Sequence, residues 1–270
     1  MPDKKKKTSG DSSPMANYSD EIMQKLLRTG EVSVEELAAQ LNVSPSTIRR
    51  TLAALDQQGL LRRIHGGAVP IEPALYEPFR HVSSFQEQEK KLTDEKRRIG
   101  LAAAELIQDG DVIAIGAGTT TTQVARSIRH RKGITVVTNA INIAMELSHQ
   151  DDLTVIVTGG SLSGAWFALV GPTAIANVGE LFVDKVFIGV DGISAERGLT
   201  TNYPDQAAIH RAMLRQARQK IIVADHHKIG VTGTALICPV GEINMFITNK
   251  GATDKMVGPL AEMDVKITRV

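Results

Sequence analysis

The chain has 270 residues, 42% apolar and 23% charged, with a net charge of +1 and only 4% aromatic residues. That composition suits a soluble globular protein of one large or two modest domains and argues against base stacking along an aromatic platform. A single cysteine, Cys238, excludes an internal disulfide and a cysteine-built zinc cluster and suits a reducing cytoplasm, and no apolar run is long enough to span a bilayer.

Residues 1–17 (MPDKKKKTSGDSSPMAN) are polar and basic and are expected to form a disordered tail. No apolar core follows the lysines, so a secretory leader is not expected. From Tyr18 the pattern is helical, with Ile22 and Leu26 on one face, joined by Met23 and Leu27, and Gly30 as the stop. A second helix starts from Ser33 as N-cap with Glu36 three residues on, buries Leu37, Ala38 and Leu41, and ends at Asn42, a residue suited to a left-handed turn. A third has Ser44 as cap and Pro45 at its first position. At 100° per residue Ile48, Leu52 and Leu55 share its core face, while Ser46, Arg50 and Ala53 point away with Thr47 and Arg49 on the flanks. After Gly59, LLRRIH, Gly66-Gly67 and AV read as a strand-turn-strand wing.

Three short helices and a wing over residues 18–70 make a winged helix-turn-helix. The charge is local: residues 1–69 carry ten Lys/Arg against eight Asp/Glu, a net of +2, which leaves −1 for the other 201 residues. Within 45–69, Arg49, Arg50, Arg62 and Arg63 face only Asp56. Hydroxyls and arginines on the outward helix face fit a major groove and its phosphates. Ser44, Ser46, Thr47, Arg49 and Arg50, with Arg63 and His65 from the wing, are the candidate contacts to double-stranded DNA. A helical bundle with a solvated basic face is the plainer alternative.

Residues 71–92 hold Pro73 and Pro78 and no sustained period, and read as a linker. A helix is expected from Phe85 or Thr93 to Gln108, with Ile99, Ala102, Ala103 and Leu106 on one side. From 93 to 270 a mostly parallel α/β domain is expected, with strands at 111–115, 134–138, 153–158, 185–190, 220–225, 245–248 and 265–268 and helices at 120–130, 139–149, 171–180, 204–218 and 253–263.

Ligands in such folds sit at the carboxyl ends of strands. DVIAI runs there into Gly116-Ala117-Gly118-Thr119-Thr120-Thr121-Thr122 and a helix, a combination of close backbone, hydroxyls and helix dipole that cradles a phosphate. It matches neither the P-loop nor the dinucleotide pattern, and alone such a turn is as often structural as functional. Other strands end in the same idiom, at Thr138-Asn139, Gly159-Gly160, Asp191-Gly192 and Asp225-x-x-Lys228. Gly116, Gly118, Thr119, Thr120, Thr121, Asn139, Gly160, Asp191, Asp225 and Lys228 are thus the candidate effector residues. No metal or cofactor is expected: His226 and His227 are adjacent, and neighbours on a strand point to opposite faces. Cys238, in ALICPV, reads as a packing residue, and Trp166 as either core or pocket wall.

The segments VSVEELAAQLNVSPSTIRRTLAALDQQGLLRRIHGGAV, GAGTTTTQVAR, VVTNAINIAMEL, LVGPTA, VDKVFIGVDGISAERGLTT and ADHHKIG, in this order and spacing, resemble the DeoR-type bacterial transcription regulators from about Tyr18 to the end. The resemblance implies a winged helix-turn-helix joined to a domain related to ribose-5-phosphate isomerase and the coenzyme A transferases. It implies a cytoplasmic repressor of a sugar or polyol operon, acting as a dimer or tetramer and released by a phosphorylated intermediate. Ser46, Thr47, Arg49 and Arg50 would meet the operator, Gly116 to Thr121 the phosphate, and Asp191, Asp225 and Lys228 the sugar. Two positions depart from the family pattern: Thr51 stands where an Asp is usual, and Ala208 where a Glu is frequent, the latter removing a sugar contact or base. An isomerase carrying a DNA-binding head is the alternative from another class, and an activator the alternative sign of control.

Overall fold

The computed structural model describes residues 14–70 and 83–270. The chain divides into two compact units, residues 1–71 and 72–270. The expected tail, through residue 13, and the expected linker, over 71–82, lie outside the described residues.

In the first unit, α1 (Pro14–Thr29) buries Ile22, Met23, Leu26 and Leu27. It begins ahead of Tyr18, inside the stretch expected to be tail, with a proline at the position where a missing N–H costs nothing. β1 (Val32–Ser33) leads into α2 (Val34–Leu41), whose Glu36 amide donates to the Ser33 hydroxyl at 3.2 Å and which Asn42 closes at φ 53°. In α3 (Pro45–Gln57), Ser44 accepts from the Thr47 amide at 3.2 Å, and Ile48, Leu52 and Leu55 are buried as their spacing predicts. β2 (Leu61–Ile64) and β3 (Gly67–Pro70) form the wing hairpin. β3 also pairs with β1, a strand too short for any periodicity to announce. The two glycines have different reasons: Gly66 takes φ +79° in the turn, and a Cβ on Gly67 would lie 2.0 Å from the Val32 carbonyl oxygen.

The second unit opens with α4 (Ser83–Glu89) and α5 (Thr93–Ala104). Thr93, one of the two expected starts, begins α5, whereas Phe85 lies within a separate helix in the segment read as linker. Phe85 is what orders it: its buried ring packs edge-on against Phe167 at 5.3 Å and Trp166 at 6.4 Å. The chain continues through β4 (Val112–Ile115), α6 (Thr119–Ser127), β5 (Ile134–Thr138), α7 (Ile141–Leu147) and β6 (Leu153–Val157). A hairpin of β7 (Ser161–Ser163) and β8 (Ala168–Val170), then α8 (Pro172–Gly179), leads to β9 (Val183–Ile188). There follow β10 (Gly192–Ser194), β11 (Gly198–Thr201), α9 (Pro204–Arg215), β12 (Ala217–Val223) and β13 (Ala235–Cys238). β14 (Met245–Thr248), α10 (Asp254–Ala261) and β15 (Lys266–Arg269) complete the unit.

The seven strands read from apolar runs form one wholly parallel sheet, ordered β15-β14-β12-β9-β4-β5-β6. β10, β11 and β13 form a small antiparallel sheet. The core lies on and around the large sheet and includes Ile113, Ile115, Val186, Phe187, Ile222 and Phe246. Cys238 belongs to it, and burial pushes its thiol up to about 11, in keeping with a packing role. Arg126 of α6 bonds the buried Glu146 of α7 at 2.8 and 2.9 Å and lies 3.0 Å from Glu89, which ties α4 to the helices beside β4.

A methyl group at position 67 must displace β3 from β1, so Gly67→Ala should cost the first unit about 1–3 kcal/mol. Amide hydrogen exchange of the full chain is expected to show faster exchange across residues 32–70 only; unchanged protection there would contradict the packing argument.

Candidate functional site

The outward face of α3 leaves Ser44, Ser46, Arg49 and Arg50 exposed and Thr47 half-buried. The hydroxyls are pre-ordered: Ser44 Oγ lies 2.7 Å from Ser46 Oγ and 2.9 Å from Thr47 Oγ1. Arg49 is 4.0 Å from Glu35, an exposed pair worth little in solvent. Arg50 has no ion pair among the described residues. On the wing Arg62, Arg63, Ile64 and His65 are exposed, and the Arg63 amide donates to Asp56 at 3.3 Å, which ties the wing to the end of α3. Thr51 is buried on the core side, its hydroxyl donating to the Thr47 carbonyl at 3.1 Å. The departure at 51 therefore falls on the packing face, away from the two exposed arginines.

In the second unit a crevice lies where β4, β9 and β12 end. After β4 the chain winds one way, to β5 and β6, and then returns to β9 on the other side of β4, so the crevice sits at the topological switch. Six expected effector residues meet there: Gly118, Thr119, Thr120, Asp191, Asp225 and Lys228. Gly118 is the N-cap of α6 at φ +153°, with no side-chain cap, so the first-turn amides lack intrahelical acceptors and face a potential anion. Asp191 Oδ2 accepts from Thr201 Oγ1 at 2.8 Å and the Asn202 amide at 2.9 Å, and Oδ1 lies 3.9 Å from Lys228 Nζ.

Gly116, Thr121, Asn139 and Gly160 do not line this cavity. Gly116 leaves room for the His210 ring, which a Cβ there would approach to 3.2 Å. Thr121 donates to the Gly118 carbonyl at 2.9 Å. Asn139 is buried, accepts from the Ala117 amide at 3.0 Å and donates to the Leu169 carbonyl at 3.1 Å, so it holds the glycine loop in place. Gly160 packs against the Val170 carbonyl instead. Ala208, expected as the altered sugar contact, also lies outside the lining; the residues of α9 that reach the cavity are Gln206 and His210, one helical turn apart.

The lining residues that the sequence reading did not single out include Gln88, Lys96, Gln206 and His210. Trp166, left open between core and pocket, lines the cavity and packs edge-on against Tyr203 at 5.7 Å. Lys96 is 3% exposed; its ammonium donates to the Gln88 carbonyl and has no carboxylate within ion-pair distance among the described residues. Burial lowers its pKa to about 8 from the usual 10.5, with Asp225 pulling the other way.

The histidine pair differs from expectation. Residues 226–228 form a 3₁₀ turn rather than strand, so the rings of His226 and His227 lie 4.0 Å apart instead of on opposite faces. Their ring nitrogens and Asp225 fall within 4.8 Å of one another. His226 Nδ1 is engaged by Asn249 at about 3 Å, which takes up one of the nitrogens that a metal ion would need.

Comparison with known proteins agrees with both halves. The DeoR-like helix-turn-helix domain family matches residues 19–74 and the DeoR C terminal sensor domain family residues 91–250. The uncharacterized helix-turn-helix transcriptional regulator YgbI of Escherichia coli K12 is 33% identical over 91% of this chain and 94% of its own. The transcriptional repressor GlcR of Bacillus subtilis is 34% identical over 85% of this chain and 86% of its own. A putative aga operon transcriptional repressor of Escherichia coli O157:H7 is 32% identical, covering 93% and 92%. Among solved structures, ribose 5-phosphate isomerase A of Methanocaldococcus jannaschii covers 50% of this chain and 54% of its own at 17% identity, with a TM-score of 0.38.

The Lys96 environment has a measurable consequence. Its pKa is lower folded than unfolded, so between about pH 8 and 10.5 the unfolded chain binds more protons and stability rises with pH. Below that window the full cost of burying the ammonium is present. Lys96→Met is expected to melt above the wild type at pH 7, with the gap narrowing by pH 10. A variant that melts lower at pH 7 would show that Lys96 stabilises the ligand-free fold.

Proposed function

The chain belongs to the DeoR family of transcriptional regulators, and from that we propose that it is a cytoplasmic repressor of a sugar or polyol operon, released by a phosphorylated intermediate bound in the second unit. The observation that carries the reading is the buried Lys96 ammonium, without a carboxylate partner among the described residues, in the same cavity as the uncapped start of α6. An ammonium held out of water next to free amides is costly unless a dianion completes it. Gly118, Thr119 and Thr120 would take the phosphate with Lys96, and Asp191, Asp225 and Lys228 would lie nearer the sugar.

DNA is contacted by Ser46, Thr47, Arg49 and Arg50 on α3 and by Arg63 and His65 on the wing, with Ser44 ordering the hydroxyls. Such a head reads a few base pairs, so two or more copies acting on a repeated operator supply the specificity, as a dimer or tetramer. Release requires that the ligand favour the DNA-incompetent state. Gln88 and Lys96 come from α4 and α5, the first described elements after the wing in sequence. A ligand that draws on them acts on the segment that continues from the head.

The curated relatives are designated transcriptional regulators or repressors. Binding without turnover is the better reading.

An operator selected from a random duplex pool by the full chain provides the test. Arg50→Ala should lose at least about 1 kcal/mol of discrimination between the selected and scrambled duplexes. Sugar and polyol phosphates should release the wild type, their dephosphorylated counterparts should not, and Lys96→Met should stay bound. Release by the unphosphorylated compounds, or by none, would overturn the proposal.

A further inference from the structure

The floor of the cavity carries polar groups that phosphate binding leaves unused. Gln206 and His210 are 6% and 1% exposed, and neither Gln206 Nε2 nor either His210 ring nitrogen has a hydrogen-bond partner among the described residues. The Trp166 indole N–H is also buried and unpartnered, and all three residues line the same space. A buried polar atom left unpaired bears its whole desolvation penalty, and native folds keep few of them. Four such atoms on three residues of one cavity mark groups that a ligand satisfies.

The chemistry of the three narrows that ligand. Burial drives the His210 pKa down to about 4, against the pull of Asp191, so the imidazole is neutral at physiological pH. A neutral imidazole offers one donor and one acceptor, Gln206 and Trp166 offer donors, and Asp191 offers an acceptor. Mixed donors and acceptors match hydroxyl groups, each of which both gives and takes a hydrogen bond. An acceptor-only anion would instead meet the His210 lone pair and the Asp191 carboxylate, whose nearest cation, Lys228, is already 3.9 Å from it.

We infer that Gln206, His210 and Trp166 form a hydroxyl-reading subsite, and that the effector is a monophosphate with a neutral, hydroxylated far end rather than a bisphosphate or a sugar-acid phosphate. The inference rests on the reading of the cavity as a phosphate site. It assigns specificity to α9, at Gln206 and His210 rather than at Ala208.

Calorimetry on the full chain tests it with glycerol 3-phosphate, ribose 5-phosphate, fructose 1-phosphate and fructose 6-phosphate, set against fructose 1,6-bisphosphate, 6-phosphogluconate, inorganic phosphate and the unphosphorylated sugars. At least one neutral monophosphate should bind tenfold or more tightly than the bisphosphate and the sugar acid. Gln206→Leu and His210→Phe should each weaken it at least tenfold while leaving inorganic phosphate affinity unchanged, and His210→Asn should recover part of the loss. The two positions are independent, so failure of one variant to fold leaves the other to decide. Equal or tighter binding of the bisphosphate or sugar acid, or wild-type affinity in a folded variant, would overturn the subsite. If unphosphorylated sugars bind as tightly as their phosphates and Gln206→Leu still abolishes binding, the phosphate reading fails and the subsite stands. If no compound binds the wild type, both fall.

Discussion

Where a parallel sheet reverses its direction of winding, the crossovers on either side diverge and the strand ends between them stay uncovered. Here the reversal lies between β4 and β9, and β12 is the next strand along. That constraint delivers the strand-end groups of the cavity, while α4, α5 and α9 add the others. β4 hands over the glycine–threonine start of α6, β9 leads to Asp191, and β12 leads to the turn carrying Asp225 and Lys228. The hydrogen bonds around it serve to keep the crevice shaped: Asn139 holds the loop from one side, and the Gly118 carbonyl accepts from Thr121 and Thr122 below.

A crevice shaped this way retains costs that a purely structural core would eliminate. It buries the Lys96 ammonium and, without hydrogen-bond partners among the described residues, both nitrogens of an imidazole, an amide NH₂ and an indole N–H. Folding tolerates them because the rest of the sheet is densely apolar, and under the proposed function a bound ligand would recover what they forfeit. The same logic suits control of DNA binding. A ligand that satisfies Lys96 alters the energetics of α5 and, through Gln88, of α4, which Phe85 and the Glu89–Arg126 pair fasten to the domain. Those two helices follow the DNA-binding unit in sequence.

The parts legible from sequence were those set by local periodicity. Seven apolar runs became seven strands of one sheet, and the phase of α3 separated Ile48, Leu52 and Leu55 from Ser46 and Arg50. Side chains whose role is tertiary were not legible. Lys96 stands in a charged EKRR stretch that reads as a solvated face, and only the packing of α5 shows its ammonium turned inward. Along α9 the family comparison drew attention to Ala208, whereas helical phase presents Gln206 and His210. Strand geometry misled at His226 and His227 because three residues of 3₁₀ turn leave no periodic signature. Thr121 and Asn139 have the right chemistry for a ligand, but they spend it on the loop.

The claim that joins these observations is that one phosphorylated ligand engages the start of α6 and the α4–α5 segment together. Hydrogen–deuterium exchange of the full chain, with and without the tightest-binding sugar monophosphate, tests it most directly. Slower exchange at the amides of residues 118–122 and across 83–104 is the expected result. Protection confined to another surface, such as the apolar groove between α7 and β6, with 118–122 unchanged, would contradict it.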